Sequence, residues 1–100
     1  MKPREWIKQP WESRILEINC TDTLPASVTI SSVECKVFDD AGTDVSSTMI
    51  EGTPAISGVY VYVKIKAGTD GERYNLRVRL TLSNGEKPED DITIYVREIS

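Results

Sequence analysis

The chain has 100 residues, with 12 Lys and Arg against 16 Asp and Glu for a net charge of −4, and it is 39% apolar and 28% charged. That length suits one domain whose core buries roughly two-thirds of the unfolded surface, and the composition is globular rather than disordered. The mild acidity argues against a nucleic-acid partner, and apolar runs of only a few residues exclude a membrane-spanning helix.

The opening segment, Met1 to Pro10, carries charges but no apolar core of a secretory signal, so synthesis in a cytoplasm is expected. The first alternating segment runs from Ser13 to Cys20, with Leu16, Ile18 and Cys20 on one side and Glu17 and Asn19 on the other. A turn-rich connection, Thr21 to Ser27, leads into a second strand from Val28 to Phe38. Its apolar parity shifts at Ser31 and Ser32, which predicts a bulge or a short break there. Asp39 to Asp44 is a turn cluster, and Ser47 to Glu51 reads as a short third strand ending at Gly52-Thr53-Pro54.

Val59, Val61, Val63 and Ile65 alternate with Tyr60, Tyr62, Lys64 and Lys66 in a fourth strand. After a turn at Gly68 to Gly71, Tyr74, Leu76, Val78, Leu80 and Leu82 alternate with Arg73, Asn75, Arg77, Arg79 and Thr81, so one face of this fifth strand must be buried. Asn84-Gly85 is a hairpin signal, because both residues accept positive φ. Lys87 to Asp90 extends that loop, and Ile92, Ile94 and Val96 mark a last strand expected to pair antiparallel with the fifth.

Cys20 and Cys35 both fall in strands and read as small buried thiols. There is no histidine to join them in a zinc site, and a disulfide would need a register that spacing does not give. The acidic turns at Asp39-Asp40-Asp44 and Asp90-Asp91 lack the ligand spacing of a calcium loop. With no histidine, no activated serine motif and no phosphate-binding glycine loop, no residue is assigned as catalytic, no metal site is assigned and no cofactor is expected.

Short strands separated by turns every ten or so residues predict an all-β fold, an immunoglobulin-like antiparallel β-sandwich of six to seven strands. Asp70 to Leu76 also has the spacing of a tyrosine corner, in which Tyr74 bonds back to the backbone and precedes an inward residue by two positions. That inward residue is Leu76, so the inter-sheet disulfide of antibody domains is absent. The sandwich is expected over residues 13–100, with residues 1–12 forming an extended N-terminal arm.

Several segments recur in a fixed order in small phage and prophage proteins. They are Lys8-Gln9-Pro10-Trp11-Glu12, Ile30-Ser31-Ser32, Asp39 to Ser46, Gly68 to Tyr74, Thr81 to Gly85, and Glu89 to Glu98. On these the chain resembles the immunoglobulin-like virion proteins encoded beside phage head and tail genes, the fibre-tail adaptor or head-tail structural proteins. The resemblance implies a non-enzymatic adaptor made in the bacterial cytoplasm and carried in the virion. Its partners would be other virion proteins of the neck, tail or fibre, with neither nucleic acid nor membrane involved, and an oligomer is possible on assembly.

Two surfaces are candidates for partner contact. The first is the arm, with Trp6, Ile7, Pro10 and Trp11, because tryptophans are enriched among interface anchors; covering the sandwich's own open edge is the equal alternative for Trp6 or Trp11. The second is the outward face of the last hairpin, with Arg73, Arg77, Arg79, Tyr95 and Arg97, which either meets an acidic partner or keeps the sheet wetted. Tyr60, Tyr62, Lys64 and Lys66 are expected on the opposite side of the sandwich from these arginines. An immunoglobulin-like ligand- or glycan-binding module is the other functional reading, with Trp11, Tyr60, Tyr62 or Tyr95 as stacking platforms.

Overall fold

A computed structural model describes residues 4–98. Seven strands form: β1 (Arg4–Lys8), β2 (Arg14–Asn19), β3 (Ile30–Asp39), β4 (Ile50–Ser57), β5 (Tyr60–Ile65), β6 (Arg73–Leu82) and β7 (Glu89–Val96). They make two packed sheets, one ordered β1-β7-β6-β3 and the other β2-β5-β4. This is the immunoglobulin-like β-sandwich expected from the strand pattern.

The alternating segments take the faces that their periodicity requires. Tyr74, Leu76, Val78, Leu80 and Leu82 of β6 and Ile92, Ile94 and Val96 of β7 are buried, and Val61, Val63 and Ile65 of β5 meet them from the other sheet. The parity shift in β3 corresponds to a register irregularity between Ile30 and Ser32 against β6. The tyrosine corner is present: Tyr74 is 8% exposed, and its hydroxyl oxygen accepts the Thr69 N–H at 2.9 Å.

Four features differ from the sequence reading. One pair is not antiparallel, because β1 runs parallel to β7, with Trp6 beside Ile94 and Lys8 beside Val96. Residues 4–8 are thus hydrogen-bonded into the sandwich and do not stand outside it as an arm. The third strand starts later than expected. Ser46–Met49 makes one helical turn, since the Asp44 carboxylate accepts the Ser46 N–H at 2.9 Å, and β4 follows it. Finally, β7 begins at Glu89 rather than after Asp91, because Arg79 and Arg77 stand directly opposite Glu89 and Asp91.

Cys20 and Cys35 are both free thiols, the first buried and the second half-buried. Burial, and then the neighbouring Cys20 and Glu34, push the Cys35 thiol up to about 12, so it is held protonated and unreactive.

Candidate docking surface

One end of the sandwich gathers most of the residues singled out in the sequence. There β1 turns into β2 through a tight turn in which Glu12 N–H donates to the Gln9 carbonyl at 3.1 Å and the Glu12 carboxylate accepts the Gln9 N–H at 2.8 Å. Pro10 suits the first corner of such a turn because its φ is fixed in advance. Trp11 takes the second corner and is 93% exposed.

A buried lysine anchors this turn from below. Lys8 follows Trp6 on the inward face of β1 and is 0% exposed. Its ammonium donates to the carbonyls of Gln9 at 2.7 Å and Pro10 at 3.3 Å, and also to that of Ala67 in the β5–β6 connection. Burial lowers its pKa, partly offset by the charge on Glu12. The three carbonyls compensate the buried ammonium, so the tip of the turn is tied to the core by charge-assisted hydrogen bonds. The sequence reading did not identify this role for Lys8. The available signal was its place two residues after Trp6, at strand parity.

The two tryptophans separate in role. Trp6 faces inward beside Ile94 and, half-buried with Leu16, packs against the core. Trp11 contributes nothing to that core. Ile7 points outward at 49% exposure and begins a row across the four-stranded sheet, Ile7 beside Tyr95 and Tyr95 beside Arg73.

The arginines share one outer face but do not form an uncompensated basic patch. Arg73 lies 3.3 Å from Asp40, Arg77 lies 3.5 Å from Asp91, and Arg79 bonds Glu89 at 2.5 Å with Glu34 at 3.7 Å. The neighbouring carboxylates raise the pKa values of Arg73 and Arg79 further, first through hydrogen bonds to Asp40 and Glu89. Arg77 stacks over Phe38 at 4.9 Å and Arg97 over Tyr95 at 5.4 Å. Phe38, Asp40, Arg73, Arg77, Thr93 and Tyr95 line a shallow, open concavity of about 500 Å³.

Tyr60, Tyr62 and Lys64 occupy the outer face of the other sheet, as expected, beside Asn19, Glu17 and Ile15. Their rings lie 6.3 Å apart and are tilted by 32°, so they do not form one flat platform. Among the described residues, no group of three or more His, Cys, Asp and Glu side chains is placed to hold a metal ion, and no helix is long and apolar enough to cross a membrane.

Residues 8–96 match a family described as podophage GP4 fiber-tail adaptor protein gp77. The chain belongs to this family. No curated protein matches it. Membership in the gp77 fiber-tail adaptor family makes the chain a structural adaptor of phage tails, carried in the virion. The matched span opens at Lys8 and so includes the braced turn with Pro10 and Trp11, while Trp6 and Ile7 precede it.

Proposed function

We propose that the chain links tail and fibre components of a podophage particle through protein–protein contacts, with the Trp11 turn as its principal anchor. The observation that carries this reading is a tryptophan 93% exposed on a turn that a fully buried lysine ties to the core. The backbone that carries Trp11 is already fixed by the turn, so docking costs the ordering of one two-torsion side chain rather than of a mobile segment. Pro10 beside it, and Ile7, Tyr95, Arg73 and Arg97 on the adjoining outer face, would surround that anchor with apolar and polar contacts. Arg77 lies deeper on that face, Arg79 belongs to its far half, and Trp6 packs inward against the core. A glycan-binding role draws less support, since Arg77 and Arg97 already stack on the Phe38 and Tyr95 rings.

The test is co-purification of the tagged chain with co-expressed tail and fibre proteins from the surrounding genes. Trp11→Ala is expected to weaken capture by about 30-fold or more, the range of an anchor residue. Its folding stability should change by less than about 0.5 kcal/mol, as for an exposed site without partners. Capture equal to that of the unmodified chain would refute the assignment of Trp11.

A further inference from the structure

The four-stranded sheet has a second feature, at the edge opposite β1. Strand β3 pairs with β6 on one side only. Its upper free edge is occupied by the chain itself: Val45 N–H donates to the Val37 carbonyl at 2.8 Å, the Ser46 hydroxyl oxygen accepts the Val37 N–H at 2.8 Å, and Asp39 N–H donates to Thr43. These bonds show that the main-chain groups of Val37 and Asp39 point away from β6. By the two-residue repeat of a strand, those of Cys35 and Val33 point the same way. Among the described residues neither makes a hydrogen bond on that side.

The side chains at this seam are also incompletely covered. Val33 and Cys35 lie on the inward face opposite Leu80 and Val78 yet are only half-buried. Ile56 of β4, the adjoining edge of the other sheet, shares the inward face with Val61 yet is 37% exposed. At the opposite seam Trp6 and Leu16 are likewise partly buried, but there the edge strand β1 is paired with β7 over its described length.

We infer that residues 32–36 of β3 accept a short extended segment of a partner virion protein as an added strand. This rests on the adaptor reading and names a second mode of contact for it. Unpaired main-chain donors and acceptors in strand geometry are matched by another strand, and half-covered apolar side chains select for apolar residues at alternate positions of the incoming segment. Outward-facing Glu34 lies opposite Arg79 within the sheet and would favour a basic or hydroxyl side chain on the new strand. A second copy's β3 suits the window poorly. That strand spans Ile30–Asp39, so its continuation would meet the 43–46 segment that closes the edge at Val37, and two-fold pairing centred on residue 34 would set two Glu34 side chains opposite each other.

The experiment compares amide hydrogen exchange of the full chain in solution and in purified virions. Protection of the Val33 and Cys35 amides is expected to rise at least tenfold in the particle. Exchange at these two amides as fast in the virion as in solution overturns strand addition but leaves the adaptor reading intact; absence of the chain from purified virions overturns both. As a second line, Val33→Pro removes a donor that the chain's own sheet does not use, with Val33→Ala as the control for lost side-chain contact. Loss of incorporation by Val33→Pro but not Val33→Ala supports the inference, and equal incorporation of the two refutes it.

Discussion

Gly68 gives the sharpest stability test of the end that carries Trp11. It sits at φ +96°, and a Cβ built there would lie 2.8 Å from Val96 Cγ2 and 3.2 Å from Met49 Cε. Met49 is flexible and its methyl can retreat, but Val96 is a stiff, fully buried side chain at the end of β7. Left-handed backbone costs a non-glycine residue about 1 to 2 kcal/mol, and overpacking a filled core costs about 1 to 3 kcal/mol more. Restricting the unfolded chain returns about 0.4 to 1 kcal/mol, leaving Gly68→Ala less stable by about 1 to 4.5 kcal/mol. Urea unfolding monitored by tryptophan fluorescence would measure this, provided that the m-value is unchanged. Gly85→Ala is the control: its φ of +90° carries similar backbone strain, but nothing lies within 4 Å of the added carbon. If Gly68→Ala costs no more than Gly85→Ala, the close approach of Val96 is not limiting and the reasoning fails.

Three further outcomes follow from the same geometry. Tyr74→Phe removes the acceptor of the Thr69 N–H and is expected to cost about 1 kcal/mol in urea unfolding, with faster exchange of the Thr69 amide. Lys8→Met leaves the carbonyls of Ala67, Gln9 and Pro10 without their charged donor; a loss of about 1 to 3 kcal/mol is expected, with faster exchange of the Glu12 amide that closes the Trp11 turn, and unchanged exchange there would refute the bracing role. Asp44 titrates below its ordinary 3.8 because Ser46 hydrogen-bonds its carboxylate, so its stabilisation is complete above that value and fades as pH falls through the lower folded-state value. Acid unfolding curves should therefore be shallower for Asp44→Asn than for the unmodified chain below about pH 4.

The parts of the fold legible in the sequence are those where polarity and burial follow the same period. In β5, β6 and β7, every inward position between Val61 and Ile65, Tyr74 and Leu82, and Ile92 and Val96 is apolar, because both sheets press on those strands. β1 escaped because its parity is inverted: Ile7 faces out while Lys8, at the parity of Trp6, faces in, and that parity was outweighed by the rule that a lysine belongs outside unless acceptors such as the carbonyls of Ala67, Gln9 and Pro10 surround it. The acidic start of β7 read as loop, since the arginines that hold Glu89 and Asp91 in register lie on another strand. The candidate site was half legible for the same reason. Tryptophan content marked the opening segment, but only packing separates Trp6, which lies half-buried against the core, from Trp11, which is presented to solvent.

An adaptor must hold two things at once, and that requirement bears on where its contacts lie. The Trp11 turn follows β1, and the open window lies on β3, the opposite edge of the same four-stranded sheet. The surface around Trp11 reaches β6 at Arg73, whereas residues 32–36 pair with β6 between Arg77 and Thr81, so the nearest approach is four residues along the strand, about 14 Å, and one surface does not cover the other. Two different partners can then be engaged together, one by side-chain insertion around Trp11 and the other by main-chain pairing along residues 32–36. The two modes fail differently under mutation. Trp11→Ala should remove one partner from the co-purified set while leaving the other, and Val33→Pro should do the reverse. If both substitutions release the same protein and nothing else, the two surfaces serve a single partner, and the bridge between tail and fibre must be made through some other part of the chain.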